Sequence, residues 1–162
     1  MNHTKDSLLN LLSQIPDPEI PVISIVELGV VREISLVNQH IVITLTPTYS
    51  GCPAMKQMED DVRAKLTNNG ISSFEIKLSY NPPWTTDWLS QEAKQKLQAY
   101  GIAPPEEKTT DKSFITGKTK QITCPHCKST NTYMVSQFGS TACKALYKCN
   151  ACLEAFDYFK CI

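Results

Sequence analysis

The chain has 162 residues, and its 16 basic side chains balance 16 acidic ones, so its formal net charge is zero. This balance excludes a global basic excess of the kind that attracts nucleic acid or an anionic membrane. No apolar run approaches the roughly 20 residues that a membrane-spanning helix needs. The polar residues 1–6 also lack the apolar region of a signal peptide. We therefore expect a cytoplasmic protein with no membrane partner.

The first predicted elements are a helix and a β-hairpin. Apolar side chains between residues 8 and 15 recur at the i, i+3, i+4 and i+7 spacing of an amphipathic helix. A strand is expected at residues 30–37, and residues 40–46 alternate between apolar and polar side chains. Asn38 and Gln39 lie between the two strands and predict the hairpin turn.

A second helix, a third strand and a third helix follow. Pro53 suits the first position of a helix, and the apolar stripe of that helix comprises Met55, Met58, Val62 and Leu66. The third strand is expected to turn four side chains inward, namely Phe74, Ile76, Leu78 and Tyr80. The last helix is predicted at residues 86–100, with Tyr100 on its apolar face. The order α-β-β-α-β-α predicts a small α+β domain with a three-stranded sheet covered by helices.

The predicted domain limits follow from a change in composition. Residues 1–103 form the α+β domain. Residues 104–120 are polar, aperiodic and proline-rich at their start, which is typical of a linker. Residues 121–162 form a second, smaller module that is rich in cysteine.

Two CxxC pairs in this module predict a tetrahedral metal site. The ligands are Cys124, Cys127, Cys149 and Cys152, and 21 residues separate the pairs, enough for a β-hairpin. Four thiolates at this spacing favour structural zinc, and hence a Cys₄ zinc ribbon. A segment this short cannot bury enough core to fold alone, so metal ligation would supply the missing stability. A rubredoxin-like iron site and a redox CxxC are the alternatives, although neither pair begins a helix.

Three further side chains of the ribbon are open to two interpretations each. His126 lies within the first CxxC pair and either replaces a cysteine ligand or stays exposed beside the sulfurs. Cys143 and Cys161 are either small buried residues of the ribbon or members of a second thiol site.

The first domain has a single cysteine, Cys52, directly before Pro53. We predict that Cys52 is the N-cap of the second helix, where the helix dipole would lower its thiol pKa and make it a better metal ligand or nucleophile. Asp17 and Glu19 are expected near it, from the Asp-Pro-Glu loop. The alternative is a small buried residue at a helix start. No histidine is placed as a base for a cysteine hydrolase.

Several motifs of the first domain resemble the MIP18-like family, also called the domain of unknown function 59. They are Asp17-Pro18-Glu19, Glu27-Leu28-Gly29-Val30-Val31, Thr46 and Gly51-Cys52-Pro53. The resemblance implies the α/β fold of iron–sulfur cluster assembly domains and a role in iron–sulfur protein maturation. It also implies that Cys52, with Thr46 nearby, handles transient iron or an iron–sulfur cluster. Glu27 stands where the family usually has aspartate.

Other motifs resemble the PaaD family of bacterial phenylacetate degradation. They are Pro82-Pro83-Trp84-Thr85-Thr86-Asp87-Trp88, residues 100–105, residues 138–147 and residues 156–161. This resemblance implies a non-catalytic accessory component of the phenylacetyl-CoA epoxidase, a ring-1,2-monooxygenase. The implied partners are its oxygenase and reductase subunits, whose iron or iron–sulfur maturation the protein would assist. A homodimer would supply the further ligands that one Cys52 thiolate lacks.

Three other functions remain as alternatives. The chain could be a structural subunit of the assembled oxygenase that transfers no metal. It could be a zinc-ribbon protein that binds nucleic acid, because lysines outnumber acids locally in the ribbon, although the neutral chain disfavours this. It could also be a thiol redox enzyme. Trp84 and Trp88 are interpreted as core residues, with a partner surface as the alternative.

Overall fold

The computed structural model describes residues 3–106 and 120–160. These residues form two compact units. The first comprises the residues up to Trp84 together with Trp88–Ser90. The second comprises Thr85–Asp87 and the residues from Gln91 onwards. No helix within the described ranges combines the length and apolar character needed to cross a bilayer.

The first unit is the predicted α-β-β-α-β arrangement. Its elements in chain order are α1 (Lys5–Leu12), β1 (Val31–Val37), β2 (His40–Leu45), α2 (Ala54–Asn68) and β3 (Phe74–Leu78). The sheet has the order β1-β2-β3, with β1 antiparallel and β3 parallel to the central strand β2. Alternate residues of β2 are buried, which confirms the predicted strand and places the core on one face of the sheet.

The hairpin turn and the stripe of α2 are confirmed. Asn38 and Gln39 have φ values of 49° and 65°, as a two-residue turn with positive φ at both central positions requires. The four predicted stripe residues of α2 are all buried, and Ala54 joins them.

The predicted inward set of β3 is partly wrong. Phe74 and Ile76 are half-buried, whereas Leu78 is 41% and Tyr80 55% exposed. The strand ends at Leu78, and β3 is an edge strand in the described sheet, so its end receives less cover than the central strand.

Close packing around Gly29 explains the Glu27-Leu28-Gly29 motif. Gly29 has a φ of +78°, and a Cβ at that position would lie 2.8 Å from the Cβ of Trp88. The Trp84 indole Nε1 donates to the Leu28 carbonyl at 2.9 Å. The Glu27 N–H donates to Ser24 Oγ at 3.1 Å, and the Ser24 N–H donates to Glu27 Oε2 at 2.9 Å. Trp84 is 5% exposed, which confirms its interpretation as a core residue.

The second unit contains the ribbon. A 3₁₀ turn covers Thr86–Trp88. The later elements, all in the second unit, are α3 (Gln91–Tyr100), β4 (Ile102–Ala103), β5 (Thr132–Ser136), β6 (Lys144–Cys149) and β7 (Ala155–Phe159). The sheet order is β4-β7-β6-β5, in which the short β4 pairs parallel to β7 and the other neighbours are antiparallel.

The third helix differs from its prediction in two respects. It starts at Gln91, since the residues from Thr86 form only a 3₁₀ turn, and Tyr100 is 55% exposed. Helix α3 and strand β4 group with the ribbon, although both lie within residues 1–103, the range predicted for the first domain. The predicted domain limits therefore stay a prediction, and most of the predicted linker lies outside the described residues.

Candidate functional site: a thiolate quartet and a separate thiol

The cysteine quartet assembles as its spacing predicts. The ligand atoms of Cys124, Cys127, Cys149 and Cys152 all lie within 4.8 Å of one another. Two of the sulfur pairs are 3.5 Å apart (Cys127 and Cys149) and 3.8 Å apart (Cys124 and Cys152). A tetrahedron with Zn–S bonds of about 2.3 Å has edges of about 3.8 Å. The donor set and the spacing therefore fit a structural zinc ion.

Two tight turns hold the sulfurs in place. In the first, the Lys128 N–H donates to the Cys124 carbonyl at 3.0 Å, and in the second the Cys149 N–H donates to the Glu154 carbonyl at 2.9 Å. The first turn is tied to β5 because Thr132 Oγ1 donates to the Ile122 carbonyl at 2.6 Å. Each turn thus presents its pair of thiols from a hydrogen-bonded backbone.

The electrostatics of the quartet call for a cation. Donation from the backbone N–H groups of Cys152 and Ala151 outweighs burial and lowers the pKa of the Cys149 thiol to about 6. For Cys152, burial and the sulfurs of Cys127 and Cys149 outweigh donation from the Glu154 N–H and raise the pKa to about 12. An anion on one sulfur opposes ionisation of the next. Four thiolates are therefore stable together only around a cation.

The metal site is continuous with the core of the ribbon. Cys124 and Cys149 are fully buried in one apolar cluster with Tyr147, Phe156 and Tyr158. The Tyr147 ring stacks on Phe156 at 6.0 Å and meets Tyr158 edge-on at 5.7 Å, measured between ring centroids. A metal at this position organises the fold and has no open coordination position for a substrate.

The remaining ribbon residues lie apart from the quartet. His126 is exposed and does not join the ligand group, and its Cε1 lies 3.3 Å from the point that a Cβ on Gly101 would occupy. Cys143 is 4% exposed, and its Sγ lies 3.0 Å from Thr141 Oγ1. The Cys143 environment fits a small buried residue. Cys161 lies outside the described residues.

Cys52 lies in the first unit, and two predictions about it are wrong. The N-cap of α2 is Pro53 and makes no side-chain cap, so Cys52 precedes the cap. Burial is the largest influence on the Cys52 thiol and, with the charges of Glu19 and Asp17, raises its pKa. Donation from the Ala54 N–H opposes this rise but does not outweigh it.

The loop that carries Asp17 is closed by hydrogen bonds to the Asp17 carboxylate. Asp17 is 3% exposed, and its Oδ1 accepts hydrogen bonds from the backbone N–H groups of Glu19 at 2.9 Å and Ile20 at 2.7 Å. These bonds hold the loop in the position from which both carboxylates influence Cys52.

Two hydroxyl groups complete the description of this region. Thr46 is 1% exposed, and its Oγ1 has no hydrogen-bond partner among the described residues, which is costly for a buried hydroxyl. The side chain of Tyr49 forms a hydrogen bond with the Cys52 thiol. Sequence reasoning missed Tyr49, and its position three residues before Cys52 was the only available signal.

Comparison with known proteins matches two parts of the chain to two different families. A family described as "Iron-sulfur cluster assembly protein" matches residues 5–70, and one described as "PaaD zinc beta ribbon domain" matches residues 108–160. An Escherichia coli protein named as a putative subunit of 1,2-phenylacetyl-CoA epoxidase is 48% identical, covering 94% of this chain and 90% of that protein. The chain belongs to the PaaD family.

Two further relatives match the first part of this PaaD-family chain. The "Fe-S protein maturation auxiliary factor YitW" of Bacillus subtilis is 35% identical over 57% of this chain and 92% of its own length. A crystal structure of a domain of unknown function 59 from Bacillus anthracis has a TM-score of 0.54 and 34% identity, covering 57% of this chain and 90% of that one. Both the predicted family and the predicted fold class are confirmed.

Proposed function

We propose that this PaaD-family protein is a non-catalytic accessory component of a phenylacetyl-CoA epoxidase system. In this proposal, Cys52 holds or passes iron, alone or as an iron–sulfur cluster, during maturation of the oxygenase or its reductase. Two relatives support it, since one is named as a subunit of the epoxidase and the other as an iron–sulfur maturation factor.

The observation that carries the proposal is the surrounding of Cys52. The half-buried Cys52 thiol is influenced by the negative charges of Glu19 and Asp17, which disfavour its thiolate by repulsion while no cation is present. A ferrous ion would reverse this balance, because it attracts the thiolate and both carboxylates together. Burial and acidic neighbours disfavour a nucleophilic thiolate, so the same geometry argues against a thiol redox enzyme.

One thiolate leaves iron short of ligands, whatever its form. The client protein or a second copy of this chain would supply the others, so that cargo would be held only while the partner is engaged. The zinc of the ribbon takes no part in this exchange, because its four thiolates close the coordination shell.

The test compares Cys52→Ser with the wild type in cells that also produce the epoxidase subunits. The oxygenase and reductase are purified anaerobically, and their iron content and epoxidase activity are measured. We expect both quantities to fall with Cys52→Ser, whereas the accessory protein keeps its zinc. Cys143→Ser, which alters a buried thiol of the ribbon, is the matched control and should leave the clients unchanged. A fully active epoxidase with normal iron content beside Cys52→Ser would sink the proposal.

A structural subunit without metal transfer is the second candidate, favoured by the word subunit in the name of the Escherichia coli relative. It predicts co-purification with the oxygenase at fixed stoichiometry. It also predicts unchanged client iron in the Cys52→Ser strain, which is the outcome that separates it from the first proposal.

A further inference from the structure

Strand β3 forms an open edge of the sheet in the first unit. In the described sheet it has a strand neighbour only on its β2 side. Directly after the strand, the Ser79 N–H donates to the Leu45 carbonyl of β2 at 2.9 Å. Because peptide groups alternate in direction along a strand, every second residue before Ser79 turns its N–H and C=O away from β2. The residues that face the open edge in this way are Phe74, Ile76 and Leu78.

The side chains of these three residues belong to an apolar row that is incompletely covered. In the parallel register they lie beside the buried residues of β2, each at most 2% exposed, which are Ile41, Ile43 and Leu45. On β3 itself, Phe74 and Ile76 are half-buried, and Leu78 is 41% exposed. The core face of the sheet therefore continues to the open edge and lacks full cover there.

The sequence of β3 is complementary to itself. Glu75 and Lys77 lie on either side of Ile76, on the opposite face from the apolar row. The Lys77 Nζ lies 3.5 Å from Glu75 Oε2, and both side chains are about half exposed. An antiparallel second β3 with Ile76 on the twofold axis would set each Glu75 opposite Lys77 of the other copy, and each Phe74 opposite Leu78.

We propose that two copies of this chain associate by antiparallel pairing of their β3 strands, with Ile76 on the twofold axis. The two Ile76 residues exchange backbone hydrogen bonds with each other, and each Phe74 does so with Leu78 of the second copy. The apolar rows of the two copies then meet on one face, and the charges alternate on the other. Two three-stranded sheets join into one continuous sheet.

Only one register satisfies both the backbone and the charges. The axis must pass through a residue whose peptide groups face the open edge. An axis at Phe74 or Leu78 would set the charged residues opposite uncharged ones, whereas an axis at Ile76 sets each acid opposite a base. Charged residues on an edge strand commonly prevent pairing with another chain, but in this register they attract.

The other edge of the same sheet is less suited to pairing. Strand β1 has a bulge between Val31 and Glu33, and a bulge twists an edge away from an incoming strand. The pairing of β3 with β2 is regular over all five residues of β3. A second copy therefore finds a regular template at β3.

This pairing keeps the two Cys52 thiols apart. Helix α2 carries the chain from the carboxyl end of β2 back to the start of β3, so Cys52, just before α2, lies at the carboxyl end of these parallel strands. Antiparallel β3 strands place the carboxyl ends of the two copies at opposite ends of the joined sheet. If Cys52 handles iron, as proposed above, the missing ligands then come from the client and not from the second copy.

The association experiment uses sedimentation equilibrium of the zinc-loaded full chain at micromolar concentrations. The wild type should form dimers. Glu75→Lys sets lysine opposite lysine, and Lys77→Glu sets acid opposite acid. Each change should raise the dimer dissociation constant at least about tenfold, because like charges directly opposite are destabilising and the contact occurs twice. An equimolar mixture of the two variants should regain dimers, since each lysine then meets a glutamate.

Hydrogen exchange measured by NMR tests the backbone pairing. The N–H groups of Phe74, Ile76 and Leu78 should exchange more slowly in the wild type than in Lys77→Glu, because they become hydrogen-bonded only in the dimer. The N–H groups of Glu75 and Lys77 face β2 and should change little. This alternation separates β3 pairing from association through any other surface.

Lys56→Glu is the matched control for the change of charge. It breaks an exposed ion pair with Asp60 on α2, where the two side-chain atoms are 2.6 Å apart. Its dimer dissociation constant should stay within about twofold of the wild type, because surface changes away from a contact act weakly. Equal far-ultraviolet circular dichroism shows that every variant is folded.

Several outcomes would overturn this inference. A wild type that stays monomeric would do so, as would single variants that dimerise like the wild type, or a mixture that stays monomeric. Protection of the β3 amides only when an epoxidase subunit is added would assign the edge to a client strand. Cys52→Ser should dimerise like the wild type, so failure of β3 pairing and failure of the metal-handling proposal are distinguishable.

Discussion

Gly29 and Trp88 lie in direct contact in the first unit, where a Cβ on Gly29 would fall 2.8 Å from the Trp88 Cβ and 3.0 Å from its carbonyl oxygen. Gly29 also has a φ of +78°, a conformation that side chains disfavour. The contact joins the Glu27-Leu28-Gly29 motif to a tryptophan about 60 positions later in the sequence.

Gly29→Ala should therefore lower the free energy of unfolding by about 2–4 kcal/mol, since overpacking adds to the penalty for positive φ. Urea denaturation followed by tryptophan fluorescence measures the change. Gly70→Ala is the matched control, because Gly70 has a φ of +76° but a methyl group there would meet no neighbouring atom within 4 Å. It should cost only about 1 kcal/mol. Equal costs for the two substitutions would contradict the contact.

Replacing one ligand of the quartet should abolish metal binding. Cys149→Ser removes a fully buried sulfur that contacts the core cluster, so we expect loss of zinc and of ordered ribbon structure. Elemental analysis should give one zinc per wild-type chain and close to none for the variant. Cobalt substitution should produce the visible absorption of a tetrahedral thiolate site in the wild type. Cys143→Ser should keep the metal, and zinc retained by Cys149→Ser would contradict the assignment.

The alkylation rate of Cys52 should report its raised pKa. A thiol whose pKa lies above the ordinary value of 9.0 is almost wholly protonated at neutral pH. Its reaction with iodoacetamide should therefore be slower than that of a free cysteine and should accelerate only as the solution becomes alkaline. Mass spectrometry of the Cys52 peptide in zinc-loaded protein gives the rate at each pH.

Glu19→Gln removes one of the charges that raise this pKa, so it should increase the neutral rate and shift the profile to lower pH. Glu59→Gln, on the surface of α2, is a control that should leave the profile in place. Because the folded state favours the neutral Cys52 thiol, this thiol stabilises the fold below pH 9. That contribution to stability disappears as the pH rises through the raised pKa of Cys52. A Cys52 thiol more reactive than free cysteine at neutral pH would contradict the assignment.

The ion pair of Lys144 and Asp157 should matter more than a surface pair. The Lys144 side chain is 6% exposed, so Asp157→Ala leaves a buried ammonium without its partner and should cost about 2–3 kcal/mol. Guanidinium denaturation of zinc-loaded protein measures this loss in the free energy of unfolding. Asp60→Ala breaks the ion pair between Asp60 and Lys56, whose side chains are 50% and 78% exposed. It should lower the free energy of unfolding by less than about 0.5 kcal/mol. Similar losses in both variants would show that burial of Lys144 is unimportant.

Local patterns predicted much of the first unit. The alternation in β2, the Asn38-Gln39 turn and the stripe of α2 each depend on neighbouring residues in the chain, and all three are confirmed. Strand β4 was not predicted, because two residues carry no periodicity and the parallel pairing with β7 joins segments more than 50 positions apart in the sequence. The exposure of Leu78 and Tyr80 likewise depends on how much cover an edge strand receives.

The candidate metal site follows from local sequence, whereas the chemistry of the candidate thiol depends on distant segments of the chain. The sequence by itself determined which four cysteines come together, since two residues between paired cysteines suffice to aim both sulfurs at one point. Only the tertiary structure decided the state of Cys52. Its pKa depends on burial and on carboxylates from a loop more than 30 positions earlier in the sequence, and those influences outweigh the nearby helix terminus from which the opposite shift was predicted.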